Sequence, residues 1–149
     1  MLKEAEDVLA VLRAVHGSVD TMLADVEDAD WTRRPAPGFN AIAPVVEHMA
    51  LVERRFLSAV AGRPEAIDTQ APFKAEHWDV AAVKREWQAA LEFSAAAVAG
   101  LREGDLDAPG LKLGIGELNR RQLLAYAIGH ATHHRGQLPL LKRLLQSRT

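Results

Sequence analysis

Apolar residues recur every three or four positions through four long stretches of the chain, and three stretches rich in glycine, proline and aspartate separate them. From Leu2 to Ala29 the apolar positions are Ala5, Leu9, Leu12, Val15, Val19, Met22 and Val26. A helix face repeats every 3.6 residues, so this spacing predicts an amphipathic helix. The segment from Asp30 to Gly38 opposes helix, because it holds Pro35, Pro37 and Gly38. Asn40 then reads as the N-cap of a second helix. Pro44 falls near its first turn, where a missing N–H matters least. Its buried stripe is Val45, Met49, Val52, Phe56 and Val60, and Gly62 and Pro64 end it.

The long connection from Arg63 to Trp78 can carry the chain back along a bundle, so the third helix is expected to run parallel to the second. Asp79 is its expected N-cap, with Val80, Val83, Trp87, Leu91, Ser94 and Val98 following at helical spacing before Gly100 to Gly104. A turn-rich segment from Asp105 to Gly116 leads to a fourth helix, from near Glu117 to about Gln146. Inside it, Pro139 cannot donate to the carbonyl of Arg135 and predicts a kink. Strand-like alternation is nearly absent. Four amphipathic helices and no sheet predict an all-α four-helix bundle, one domain spanning residues 1–149.

Composition narrows the function more by exclusion than by suggestion. At 149 residues, with 48% hydrophobic and 26% charged positions, the chain has the make-up of an ordinary globular domain. A net charge of −2 supplies no pull toward nucleic acid or anionic membranes. No apolar run approaches the ~20 residues that span a bilayer. The opening MLKEAEDVLAVLRAV mixes acids and bases and does not read as a secretory leader, so the expected location is the cytoplasm. With no cysteine there is no disulfide, thiolate ligand or cysteine nucleophile. Any thiol chemistry would need a thiol carried by a small molecule. Phosphate-binding GxxxxGK[ST], dinucleotide-binding GxGxxG and metalloprotease HExxH motifs are all missing.

The chemistry concentrates in residues 130–137, His-Ala-Thr-His-His-Arg-Gly-Gln, which hold three of the six histidines. His130 and His134 lie one turn apart on the helix face that Leu123, Ala127 and Leu141 place inward. In the second helix His48 follows Val45 by three and precedes Val52 by four, so it also faces inward. Inward imidazoles need polar partners, because an unsatisfied buried polar group costs roughly 1–3 kcal/mol. One shared cation satisfies all three, and three neutral ligands leave coordination positions open, the pattern of a reactive site. His133 is turned about 100° from His134 and falls at the flank. His16 and His77 have no histidine partner at ligand spacing and read as ordinary hydrogen-bonded side chains.

Arg135 is expected to meet an acid on a neighbouring helix or solvent, and Gly136 to admit a close neighbour. Gln137 is a candidate to hold His134 by a hydrogen bond. Glu47 reads as a surface acid, and Trp31, Trp78 and Trp87 as packing residues. No inward acid beside the ligands suggests itself as a general base.

Three blocks together resemble the DinB/YfiT-like family of metal-dependent enzymes: Trp31…Pro37-Gly38-Phe39-Asn40, Val46-Glu47-His48-Met49, and His130 through Leu138. The resemblance covers nearly the whole chain, the last block being the most specific. It implies a four-helix bundle with an up-down-down-up course and a divalent metal, zinc or nickel foremost and iron after them, on His48, His130 and His134. It also implies an enzyme that activates water or a low-molecular-weight thiol, such as bacillithiol or mycothiol, for transfer to a small electrophile. A metal-dependent hydrolase and a non-catalytic metal-binding stress protein are the alternatives. A small-molecule substrate and a homodimer are the implied partners, with neither nucleic acid nor membrane.

Overall fold

Four long helices form where the apolar stripes are longest. In the computed structural model, which describes residues 1–147, they are α1 (Lys3–Leu23), α3 (Ile42–Val60), α5 (Val80–Ala99) and α6 (Arg120–Gln146). Two one-turn helices, α2 (Asp28–Trp31) and α4 (Ala71–Lys74), lie in the connections. A 3₁₀ turn at Asp105–Asp107 precedes an antiparallel hairpin, β1 (Pro109–Leu113) and β2 (Gly116–Asn119).

Side-chain pairings fix the course of the chain. Between α1 and α6, Arg121 reaches Glu4, Arg135 reaches Ser18, and Lys142 reaches the Met22 carbonyl, so both helices advance together and are parallel. Between α3 and α6, Phe56 meets Tyr126 while His48 meets His130, an antiparallel pairing. Glu53 of α3 receives the hydroxyl of Ser94, and Arg54 lies over Phe93, while earlier in both helices Glu47 faces Glu86. Those pairs make α3 and α5 parallel. The course is therefore up-down-down-up, and the connection from Ala61 to Asp79 returns the chain the length of the bundle.

Around the bundle, α3 packs against α5 and α6, and α1 packs against the same two. Thus α1 and α3 face each other across the diagonal. α3 is the most enclosed helix, with even Glu53, Ser58 and His48 buried beside its apolar stripe. A single contiguous core runs from Ala5 and Leu12 on α1 through Met49 and Leu57 on α3 to Leu123, Leu138 and Leu145 on α6. Fully burying each of the larger side chains is worth roughly 1.5–3 kcal/mol. Trp31 and Trp87 are core residues, as expected, and Trp78 packs against the core's edge.

Element boundaries differ from the sequence expectation in four places. α1 ends at Leu23, six residues before Ala29. No glycine or proline marks that end. The Lys142 ammonium donates there to the Met22 carbonyl and the Asp25 carboxylate, and so satisfies one of the terminal carbonyls the helix leaves open. α3 is flanked by Ala41, not Asn40, and has no side-chain cap; Pro44 does sit in its first turn. The chain from Pro109 to Asn119 is a hairpin, not a mere turn segment. Leu111 and Leu113 alternate with Lys112, a two-residue period that lays the leucines against the bundle. α6 consequently starts at Arg120, three residues after Glu117. Asn119 caps it by accepting from the Gln122 amide, and Gln122 accepts in return from the Asn119 N–H. α6 passes through Pro139 as one helix to Gln146.

Candidate metal centre

The three histidines singled out by spacing meet in the middle of the α3–α6 seam. Ring centroids are 5.0 Å apart for His48 and His130, 4.7 Å for His48 and His134, and 4.4 Å for His130 and His134. One ring nitrogen of each lies within 4.8 Å of the other two. The helices bring this about simply. His130 and His134 are a turn apart on α6, and the antiparallel crossing sets His48 opposite them.

Hydrogen bonds fix which nitrogen faces the centre. His48 Nδ1 lies 2.5 Å from the carbonyl of Thr69, and a carbonyl only accepts, so the proton sits on Nδ1 and Nε2 carries the lone pair. His134 Nδ1 donates to Gln137 Oε1 at 2.8 Å, which leaves its Nε2 likewise free. His48 Nε2 is 3.1 Å from His130 Nε2. Two imidazoles on one tetrahedral ion, each about 2.0–2.1 Å from it, stand roughly 3.3 Å apart, so the spacing fits a shared cation. The donor set is therefore of a kind that can hold a divalent metal, and each of the two held rings has a partner that orients it. Phe73 of α4 packs on His48 at 4.8 Å and Phe56 stands 6.1 Å from His130, giving the centre an apolar wall.

Burial disfavours protonation of all three. His130 is lowered furthest, to about 3, by desolvation first and then by its histidine neighbours. Desolvation also lowers His48, against the opposing bond to Thr69, and lowers His134. The rings are thus kept in the neutral state that coordination needs.

The other sequence candidates fall into place around this centre. His133 is exposed, its ring 4.8 Å from that of His134, and it does not join the group of three. His77 is exposed on the connection before α5. Among the described residues Arg135 meets no acid; two of its nitrogens donate to the Ser18 hydroxyl and tie α6 to α1. Among the described residues nothing beyond α6's own backbone lies within 4 Å of where a Gly136 Cβ would stand, so it fronts open space and no helix packs there. Glu47 is half-buried, not a free surface acid. Burial raises its carboxyl above the ordinary range, and Glu86 adds to this.

Sequence reasoning missed the buried polar cluster on the bundle diagonal. His16 on α1 is 3% exposed and Glu53 on α3 is 5% exposed, and they meet at 2.7 Å. Ser94 on α5 reaches the other Glu53 oxygen at 2.7 Å. His16 stacks on Trp87 at 3.5 Å, and the Trp87 indole donates to Asp20. The signal was present. His16 stands four residues after Leu12 and three before Val19, and Glu53 four after Met49 and three before Phe56, so both occupy core-facing stripe positions. Glu53 faces inward, but its two oxygens are taken by His16 and Ser94 and it is not in the group of three histidines.

No helix among the described residues is long and apolar enough to cross a membrane. No curated protein matches the chain in sequence. Among solved structures, YfiT from Bacillus subtilis, described as a probable metal-dependent hydrolase with an unusual four-helix bundle topology, superposes with a TM-score of 0.73 at 16% identity. The alignment covers 96% of this chain and 89% of that one. The DinB-like protein YjoA from Bacillus subtilis gives 0.70 at 17% identity, covering 92% and 90%. A mycothiol-dependent maleylpyruvate isomerase gives 0.69 at 14% identity, covering 93% of this chain and 63% of its own. These similarities show a shared fold. Residues 12–138 match the DinB superfamily, so with the bundle course and the histidine pattern in place, the chain belongs to that superfamily.

Proposed function

We propose that this protein is a metal-dependent enzyme whose ion is held by His48, His130 and His134, acting in the cytoplasm on a small electrophilic molecule. The observation that carries this reading is the convergence of three neutral imidazoles, two of them with tautomers set from outside by the Thr69 carbonyl and Gln137. A divalent ion there supplies Lewis-acid chemistry, lowering the pKa of a bound water or thiol so that it can act as a nucleophile near neutral pH. The chain's own part is to present three nitrogen donors, keep them unprotonated, and wall the centre with Phe56 and Phe73. Three imidazoles suit zinc, nickel, iron or copper, and zinc or nickel is the ion we propose, with iron after them.

Transfer of a low-molecular-weight thiol is the favoured reaction. The fold shared with a mycothiol-dependent enzyme supports it, as does the lack of any cysteine to serve as an internal nucleophile. Hydrolysis is the second reading, supported by the fold shared with YfiT. Elemental analysis of the purified protein, with His48→Ala, His130→Ala, His134→Ala and His133→Ala variants, tests the site. Each of the first three loses most of its metal and the fourth keeps it. Equal loss from His133→Ala would overturn the assignment. Incubating the metal-loaded protein with thiols and electrophiles, and separately with hydrolysable esters and amides, separates the two reactions. No product beyond that formed by free metal in either assay would leave a metal-binding protein without turnover.

A further inference from the structure

Beside the histidines lies a cavity of about 220 Å³ that the site described above does not use. Its walls are Gly38, Phe39 and Asn40 from the connection before α3, Val45 of α3, and Gln137, Leu140 and Leu141 of α6. It adjoins the centre on both helices. Val45 is one turn before His48, and Gln137 is one turn after His134. Gln137 belongs to both, since its Oε1 accepts from His134 Nδ1 and its NH₂ is left to donate to a ligand.

The chemistry of the lining is one-sided. Four of the lining side chains are hydrocarbon, two are carboxamides, and no ionisable side chain contributes. Phe39 is 38% exposed and Leu140 50% exposed, so apolar surface remains in water at the mouth. An apolar cavity of about 150 Å³ accepts benzene, so this one suits a group of that size or slightly larger. The neighbouring charge, the Arg34 guanidinium, is engaged by the Phe39 carbonyl, so a charged group giving up water between these walls meets only hydrocarbon and carboxamides.

Resting on the reading of the histidines as a reaction centre, we propose that this cavity receives the uncharged, ring-sized part of the substrate. Gln137 donates to an acceptor on that part and links it to the histidine it orients. The enzyme thereby selects small neutral molecules over acids and amines of the same size.

Benzamide, benzoate and benzylamine are suitable probes, titrated into isotope-labelled metal-free protein and followed by NMR. Benzamide is expected to shift the side-chain NH₂ signals of Asn40 and Gln137 and the backbone signals of Phe39 and Leu140, and to saturate. The charged pair should bind at least about tenfold more weakly, a difference of about 1.4 kcal/mol. Leu140→Glu, at an exposed position, should abolish saturation without changing metal content, and Leu140→Met should preserve it. Equal binding of all three probes, or shifts elsewhere in the molecule, overturns the proposal. So do the same shifts on raising protein concentration alone, which would make a second copy of the chain the occupant.

Cobalt loading then separates this proposal from the one it rests on. Cobalt at the histidines should enhance relaxation of the bound benzamide protons, and His130→Ala should remove the effect. Saturable benzamide binding without enhancement in cobalt-loaded protein would sink the substrate cavity and leave the metal centre standing. Failure to bind cobalt would sink both.

Discussion

Replacing His16 with alanine strips the Glu53 carboxyl of one of its two partners at a point where water cannot reach it. The pair meets at 2.7 Å across the bundle diagonal with both side chains at most 5% exposed. Breaking a buried pair by deleting one member costs about 3–5 kcal/mol. The stacking of His16 on Trp87 is lost as well, worth about 0.5–1.5 kcal/mol. A total of about 5 kcal/mol is a large share of the 5–15 kcal/mol that holds a typical domain together. Glu53→Gln should cost less, about 1–3 kcal/mol, because the amide oxygen can still accept from His16 or Ser94. The double replacement His16→Leu with Glu53→Leu should recover much of the loss. Apolar groups then fill the diagonal, and the Ser94 hydroxyl keeps the Ala90 carbonyl as its acceptor. Urea unfolding followed by far-ultraviolet circular dichroism measures all of this. With a slope of about 2 kcal/mol/M, His16→Ala should lower the midpoint by about 2.5 M. A cost below about 1 kcal/mol for His16→Ala would refute the reasoning, as would a double variant equal to the sum of its singles within about 0.5 kcal/mol.

Gln137→Ala frees the His134 ring to rotate and should weaken metal affinity about 10- to 100-fold, measured by competition with a chelator, while Gln137→Glu, still an acceptor, should retain most of it. Metal-free protein should lose stability as pH falls from about 6.5 toward about 3. His130 sits well below its ordinary value, and His48 and His134 are lowered too, so the unfolded chain takes up protons in that window which the folded one refuses. Urea midpoints measured from about pH 7 to about pH 4 should therefore decline, less steeply in His130→Ala; parallel curves would contradict the assignment. Gly17 lies in the exposed middle of α1 with nothing within 4 Å of where a methyl group would stand, so Gly17→Ala should stabilise by about 0.5–1 kcal/mol. Gly110→Ala should destabilise, because its Cβ would fall 2.8 Å from the Leu118 carbonyl oxygen; thermal melts of the two variants should move in opposite directions.

The helical stripes made most of the bundle legible from sequence, since α3, α5 and α6 bury the residues that 3.6-residue spacing puts on one face. The three histidines were legible for the same reason: each occupies a stripe position, and their convergence needed only the antiparallel crossing of α3 and α6. Features decided by contacts between distant segments were not legible. The end of α1 is capped by Lys142, 119 positions beyond Leu23 (142 − 23). The hairpin is short, and its two-residue period spans only Leu111 to Leu113, too few positions to stand out beside long helices. The Thr69 carbonyl that orients His48 is a backbone atom, so no side-chain pattern could announce it. His16 and Glu53 were visible as stripe residues, but their pairing joins positions 37 apart on helices that are not neighbours in the bundle wall.

Because the peptide oxygen of Thr69 steers the His48 ring, the return segment between α3 and α5 is more than a passive leash. Phe73, a few residues further along the same segment, presses on that ring from the side. A protease nick within this span, with every helix still folded, would let the imidazole swing and spoil the centre before the bundle itself came apart.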